Sequence, residues 1–306
     1  MVSDSETYFQ QEAQQWVDDA YRHDNGLIPI GQQRINQVVT ILKKDYPNTR
    51  LNICDLGCGG GDLCRQLAAM GHSITGVDRS DSMLTISKSI ASSGKIKFVS
   101  SAIESADAHL EAQSFDVVTC MGVMYYLNDE DRFFQVAKNL LKPGGKLIVT
   151  CRNRLFNLFP GSTKLLGEVT ADDYSDLVAE AAALNKGISA HQINPVLALM
   201  QRYSAAENIE NLPKVSDKQQ ENTLQLTDKI VEGRQHTPKQ LRINAVRNGF
   251  SLCHFYGIQP HFMLAGNEDD RVNQVLKKMS EALIPLADHP ASLLWCSHFM
   301  AELRSD

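Results

Sequence analysis

The stretch CDLGCGGGD, residues 54–62, decides the fold of this chain. It follows an apolar run, and four of the five residues from 57 to 61 are glycine, with an acid on either side. Because glycine costs backbone entropy, such a cluster indicates a tight turn or a group that comes very close to the backbone. The sequence on either side indicates which group that is.

The composition of the 306 residues is that of a globular chain, with 43% hydrophobic and 22% charged residues. The length suits one large domain, or one domain with a sizeable insertion. The net charge of −6 argues against a nucleic-acid partner, which would favour a basic face. Seven scattered cysteines without metal spacing indicate a reducing compartment. With a polar N-terminus and no apolar stretch of about 18 residues, we expect a cytoplasmic protein with no membrane partner.

Strands and helices alternate on either side of the glycine cluster. Strands are predicted at 51–56, 73–77, 96–100, 115–121, 146–151, 250–256 and 292–302, and helices at 6–22, 32–44, 63–70, 82–92, 129–141, 237–248 and 269–286. Short apolar strands separated by helices predict βαβ units and a parallel sheet covered on both faces. The fold class is therefore α/β, a doubly wound, seven-stranded, mostly parallel sheet whose last hairpin carries an antiparallel strand.

The domain organisation follows from where this alternation stops. We expect a helical lid over residues 1–45 and a core made of residues 46–156 and 236–306. Residues 157–235 contain no strand-like run, which predicts a helical insertion that caps the ligand side of the core.

Two binding motifs place glycines directly after a buried strand. The dinucleotide fingerprint GxGxxG fails here, because position 62 is Asp where that pattern requires Gly. The spacing GxGxG led by Asp55 resembles the class I S-adenosylmethionine (SAM) methyltransferases. Three more segments resemble that family in the expected order, at residues 76–83, 115–127 and 141–147.

The resemblance implies SAM as the cofactor and assigns its contacts. They are Asp55, Gly57, Cys58, Gly59, Gly61, Asp78, Arg79, Met83, Ser101, Ala102, Ile103, Met121 and Gly122. In this assignment, Asp55 acts on the ammonium side, Asp78 binds the ribose diol, and Met83 and Ile103 pack on adenine. Ser101 stands where the family commonly has an acid, so a weaker adenine contact is expected. Two alternatives stay open: Met83 as a core residue and Cys58 as a small filler.

Residues outside the shared motifs are candidates for the methyl acceptor. The substrate candidates are Tyr8, Trp16, Tyr21, Tyr125, Arg152 and Asn153, and the candidate catalytic residues are Tyr126, His236 and His261. Ubiquinone-type relatives carry Glu-His where this chain has Tyr125-Tyr126, so no histidine base is expected there, and no metal. Arg34 is either a contact of the SAM carboxylate or a solvent-facing helix residue, and His298 is expected to be structural.

The sequence therefore predicts methyl transfer from SAM to an O, N or S atom of a small molecule, such as a sugar, lipid or secondary-metabolite precursor. In-line displacement needs alignment more than a nucleophilic side chain. Three alternatives stay open: a nucleic-acid or protein methyltransferase, a non-catalytic SAM-binding sensor or partner subunit, and an NAD-type dehydrogenase, against which Asp62 argues. The oligomeric state is open, with a homodimer as one option.

Overall fold

A computed structural model of the chain describes residues 12–21, 29–90, 96–158, 162, 164–185, 194, 198, 233–260, 278 and 280–306. The strands are β1 Asn52–Leu56, β2 Ser73–Asp78, β3 Ile96–Ser100, β4 Phe115–Cys120, β5 Leu141–Arg152, β6 Phe250–Pro260 and β7 Cys296–Ser305. The α-helices are α1 Ala13–Tyr21, α2 Ile30–Asp45, α3 Asp62–Ala69, α4 Asp81–Ile90, α5 Glu130–Leu140, α6 Leu165–Val169, α7 Tyr174–Leu184 and α8 Pro238–Arg247. Short 3₁₀ helices span Ile103–Ala108, Met124–Tyr126, Arg154–Leu158, Ile284–Leu286 and Pro290–Leu294.

The seven strands form one sheet in the order β3-β2-β1-β4-β5-β7-β6, which confirms the predicted fold class. The first five strands of that order are parallel, and β7 is antiparallel to both β5 and β6. The chain leaves β1 toward β2 on one side and later returns to β4 on the other. Open α/β sheets bind ligands at such a reversal, outside the carboxyl ends of the strands.

The central strands β1, β4 and β5 are buried on both faces, as a doubly wound sheet requires. Along β1, Cys54 belongs to the core on one face of the sheet and Ile53 to the core on the other. The period of two along a strand produces this alternation. Helix α2 packs its apolar stripe, including Val38 and Ile41, into the second core. Residues 30–45 therefore belong to the packed fold, and a lid role for residues 1–45 stays a prediction.

The largest differences from the predicted bounds lie in the last two strands. β6 runs on to Pro260, past Gly257, which sequence patterns treat as a breaker. A Cβ on Gly257 would lie 2.6 Å from the sulfur of Cys296, so the glycine allows β6 and β7 to pair closely. β7 begins at Cys296 and not at residue 292, because Pro290–Leu294 forms a 3₁₀ helix whose first turn is capped by His289.

The helical insertion is described only in its first part. Helices α6 and α7 agree with the helical character predicted for residues 157–235. The predicted helix at 269–286 lies mostly outside the described residues, and its last three residues form a 3₁₀ helix. Within the part of the chain that the structure describes, no helix is long and apolar enough to cross a bilayer.

Candidate active site

The glycine loop turns back at the carboxyl end of β1. Gly57, Gly59 and Gly61 have φ angles of +76°, +50° and +76°, in the left-handed region that favours glycine. The N–H groups of Gly57 and Cys58 both donate to the carbonyl of Val77, at 2.7 and 3.0 Å. These bonds draw the loop over the end of β2 and leave its backbone open to a ligand.

Asp78, at the end of β2, is tied to the loop by both carboxylate oxygens. Its Oδ2 accepts from the N–H of Gly59 at 2.8 Å, and its Oδ1 accepts from the N–H of Ser80 at 2.9 Å. Burial raises the pKa of Asp78 above its ordinary value, although these two donors oppose the rise. Each oxygen keeps a second lone pair, which is the acceptor set that a vicinal diol needs.

A cleft of about 850 Å³ opens beside the loop, and we name it the glycine-loop cleft. Eight of the predicted cofactor residues line it: Gly57, Gly59, Asp78, Arg79, Met83, Ile103, Met121 and Gly122. Glu104 also lines the cleft, and the sequence analysis did not include it. The family resemblance directed attention to position 101, whereas the acid stands three residues later, in the segment that follows β3.

The other five predicted cofactor residues are not part of the lining of the glycine-loop cleft. Asp55 is buried, and its two oxygens accept from the hydroxyl of Thr119 at 2.7 Å and the thiol of Cys64 at 3.5 Å. Burial raises the pKa of Asp55 to about 6. Cys58 is buried against Gly76, which agrees with the filler alternative.

The remaining three residues of that set, Gly61, Ser101 and Ala102, have local structural roles. Gly61 is the residue before α3 and has a left-handed conformation. The hydroxyl of Ser101 donates to the carbonyl of Ala102 at 2.9 Å.

A second cavity of about 780 Å³ lies on the other side of Gly122, and we name it the arginine cavity. Its described lining is Ala20, Ile30, Arg34, Gly122, Tyr125, Tyr126, Thr150, Arg152, Gln259 and His298. Gly122 and Tyr126 line both cavities, so the two spaces adjoin. His298 belongs to this lining, although its position on a core strand predicted a structural role.

Arg34 is buried, with only 5% of its surface exposed, so the solvent-facing alternative is wrong. Its Nε is buried without a hydrogen-bond partner, and burial lowers the pKa of its guanidinium. A Cβ on Gly122 would lie 2.4 Å from its Nη1. The helical spacing of Arg34 to the buried Val38 and Ile41 is the signal that places it on the inner face of α2.

Arg152 lies over the face of Tyr125, with Cζ 4.0 Å from the ring centroid. The rings of Tyr125 and Tyr126 meet edge to face, with centroids 5.1 Å apart. The structure thus brings together three of the residues predicted for the acceptor side, Tyr125, Tyr126 and Arg152.

Asn153 and His236 are held within the fold, away from both cavities. The amide of Asn153 donates to the carbonyls of Leu293 and Cys296 at 2.6 and 2.8 Å. Nε2 of His236 lies 2.7 Å from Oε1 of the buried Glu130. The His236 contact fixes the chain where it returns from residues 157–235, and the Asn153 contacts fix residues 293–296. They give no support to an acceptor contact at Asn153 or a base at His236.

Of the four remaining candidates only the side chain of Tyr21 is described, and it lines neither cavity. Tyr21 packs at the end of α1 against Gly31, and burial raises the pKa of its hydroxyl. Tyr8 and His261 lie outside the described residues, as does the side chain of Trp16. No group of three or more His, Cys, Asp or Glu side chains that could hold a metal ion occurs in the described ranges.

The family comparison agrees with this geometry. A family model described as a methyltransferase domain matches residues 47–232. The chain belongs to this methyltransferase family. Its sheet order and its glycine loop are those of the class I, SAM-dependent members.

Curated relatives match part of this methyltransferase. Ubiquinone biosynthesis O-methyltransferases from Coxiella burnetii and Xanthomonas oryzae are 32% and 30% identical to it over 131 residues. Those residues are 43% and 40% of this chain. The chain spans about half the length of these relatives, 53% and 54%.

Solved structures support the fold of this methyltransferase over nearly its whole length. The magnesium protoporphyrin IX methyltransferase from Synechocystis with bound SAH has a TM-score of 0.53 at 15% identity. That alignment covers 99% of this chain and 98% of the other. At this identity the likeness shows the fold alone.

Proposed function

We propose that this chain transfers the methyl group of SAM to an oxygen, nitrogen or sulfur atom of a small molecule. The observation that carries the proposal is that the glycine-loop cleft and the arginine cavity adjoin at Gly122 and Tyr126. A methyl donor in the first space and an acceptor in the second would meet at that junction.

The glycine-loop cleft fits the groups that SAM carries. Asp78 offers lone pairs to the ribose diol, and Met83 and Ile103 offer apolar surface to adenine. Glu104 lies in the same wall and is an acceptor for the adenine amino group. The buried Arg34, whose Nε has no partner and whose Nη1 lies next to Gly122, suits the methionine carboxylate. Asp55, whose carboxylate is buried behind the loop, would act on the ammonium through water.

When bound, SAM supplies an electrophilic methyl group on a positively charged sulfur. The residues of this chain contribute alignment and exclusion of water, which supply most of the acceleration in such a displacement. The hydroxyl of Tyr126 would orient the acceptor at the junction. A base is required only where the acceptor's pKa lies well above neutral pH.

Contacts from the N-terminal helix support a covering role for it. A Cβ on Gly60 would lie 2.8 Å from Cγ2 of Val17, so α1 packs directly on the glycine loop. Val17 and Met83 also share a small buried cluster with Ala13. Because residues 30–45 pack into the core, we restrict the lid to residues 1–29, with residues 157–235 as the cap of the acceptor side.

The curated relatives favour oxygen as the acceptor atom, because both are named as O-methyltransferases.

All seven cysteines are free thiols, six of them buried, which supports the reducing, cytoplasmic setting expected from the sequence.

The test is transfer of labelled methyl from SAM into a metabolite extract incubated with the protein. The expected result is labelled small molecules, formed by wild type and strongly reduced by Asp78→Asn. Label in RNA, DNA or protein would instead support the macromolecular alternative. Tight binding of S-adenosylhomocysteine (SAH) with no labelled product from any extract would support a sensor or partner subunit.

A further inference from the structure

The arginine cavity has an unbalanced charge. Its described lining contains the guanidinium groups of Arg34 and Arg152 and no carboxylate. Neither guanidinium forms an ion pair with any acid among the residues that the structure describes. Arg34 is buried and Arg152 is half-buried; because a buried charge is costly unless it is paired, this arrangement favours an anion from outside the chain.

The two arginines also lie within reach of each other's charge. Arg152 contributes to the lowered pKa of Arg34, after the larger effect of burial. Two like charges beside one cavity repel, and a bound anion between or beside them removes that cost.

The donor accounts for one of the two arginines. Arg34 lies against Gly122, at the border of the glycine-loop cleft, and the proposed function gives it the methionine carboxylate. Both arginines line the arginine cavity, but only the guanidinium of Arg34 is recorded against Gly122, which the glycine-loop cleft shares; Arg152 lies at the carboxyl end of β5. It is therefore the guanidinium left for a second ligand.

Arg152 is also preorganised. Stacking of its guanidinium on the ring of Tyr125, at 4.0 Å, restrains a side chain that is otherwise flexible. A guanidinium stacked by its face presents its N–H edge to a ligand, and that edge matches a carboxylate or phosphate with two parallel hydrogen bonds. Tyr125 in turn contacts Tyr126, which lies at the junction with the donor cleft.

We infer that the methyl acceptor carries an anionic group, a carboxylate or a phosphate, that Arg152 binds in the arginine cavity. The inference rests on the proposed function, because it names the substrate class of that same site. The anion anchors the acceptor so that its reacting atom lies at the junction beside Tyr126. Arg152 is thus a specificity-determining residue for acidic acceptors.

The binding test uses protein saturated with SAH and three probes of similar shape. Benzoate carries a carboxylate, phenyl phosphate carries a phosphate, and benzamide is the neutral control. In calorimetric titrations, wild type is expected to bind one of the two anions about tenfold or more tightly than benzamide. The anion that binds more tightly identifies which source of negative charge the cavity prefers.

Three variants make the result specific. In Arg152→Gln, the ratio of the affinity for the anion to the affinity for benzamide is expected to fall about tenfold, while the affinity for SAH stays at the wild-type level. Arg152→Lys keeps the positive charge but loses the planar guanidinium with its paired N–H donors. Its anion preference is expected to lie between those of wild type and Arg152→Gln. Arg50→Gln, at an exposed arginine before β1, is the matched control and should behave as wild type.

The outcomes separate this inference from the proposed function. If wild type fails to bind SAH, the proposed function falls. If wild type binds SAH but treats all three probes alike, including no binding of any, the inference is overturned and the proposed function stands. The inference is also overturned if Arg152→Gln folds, binds SAH and keeps the anion preference.

Turnover gives a second readout that does not depend on the probes. A metabolite extract divided by anion exchange should yield labelled product from the anionic fraction with wild type. Arg152→Gln should raise KM for that fraction at least tenfold, a larger change than in kcat. Labelled product from the neutral fraction alone, unaffected by Arg152→Gln, would contradict the inference.

Discussion

The N–H of Gly59 donates to Oδ2 of Asp78 at 2.8 Å, so the ribose-binding acid proposed here also fixes the glycine loop. Asp78→Asn removes one of the two oxygens that accept from Gly59 and Ser80, and it turns an amide N–H₂ toward one of those donors. Affinity for SAH, measured by calorimetry, should fall roughly 100-fold.

Asp172→Asn, at an exposed acid near the start of α7, is the control for that change. It should leave the affinity unaltered. Wild-type affinity in a folded Asp78→Asn protein would show that the ribose is bound elsewhere.

Gly122 is expected to matter through Arg34. Gly122→Ala adds a methyl group 2.4 Å from Nη1 of Arg34, at a φ of +78°. The left-handed conformation should cost about 1–2 kcal/mol of unfolding free energy. The displaced guanidinium should lower SAH affinity roughly tenfold, since the methionine carboxylate loses a charged hydrogen bond.

Gly144→Ala separates the two effects of that substitution. Gly144 has a similar φ of +72°, and a Cβ there meets no atom within 4 Å. Urea unfolding should show a similar loss of stability in both variants, while only Gly122→Ala loses affinity. Equal SAH affinity in the two would contradict the placement of Arg34 beside the donor.

The buried Asp55 should make donor binding depend on pH. Burial raises its pKa to about 6, so the free protein carries a protonated Asp55 below that pH. A nearby ammonium favours the ionised form, so binding below pH 6 must release a proton. Affinity for SAH should therefore fall as the pH drops, approaching tenfold per pH unit.

Asp55→Asn is expected to bind more weakly at pH 8 and to show no change in affinity between pH 5 and pH 7. If its pH profile matches that of wild type, Asp55 does not act on the ammonium.

Glu130 should contribute stability that acid removes. Burial opposes its ionisation, but hydrogen bonds from His236 and Arg234 lower its pKa to about 2. A depressed carboxyl stabilises the fold above its ordinary pKa of 4.5, and this contribution is lost as the pH falls toward 2. The gap in unfolding free energy between wild type and Glu130→Gln should narrow by about 1 kcal/mol from pH 4.5 to 3.5.

Urea unfolding of the two proteins at each pH measures that gap. Glu111→Gln, at an exposed acid, should run parallel to wild type over the same range. A gap in unfolding free energy that stays constant with pH would show that folding does not lower the pKa of Glu130.

The fold and the donor side were predictable because their signals are local. The glycine loop needs left-handed backbone at Gly57 and Gly59, and only glycine adopts it at little cost. Asp78 follows a buried strand directly, so its place at the carboxyl edge of the sheet follows from the strand itself.

The arginine cavity was less predictable because it is assembled from distant elements. Arg34 on α2, Arg152 on β5 and His298 on β7 meet only when β7 inserts beside β5. Asn153 has the same strand-end position as Arg152, yet its amide binds backbone carbonyls around Cys296. Which of two neighbouring polar residues faces the cavity depends on the pleat of β5 and on a 3₁₀ helix far along the chain.

The most direct test of the central claim is a pair of calorimetric titrations on the wild-type protein, one with SAH and one with NADH. The account predicts a saturable, one-to-one response to SAH and none to NADH, because the loop carries Asp62 where the dinucleotide fingerprint requires Gly. A flat response to SAH together with saturable binding of NADH would contradict it.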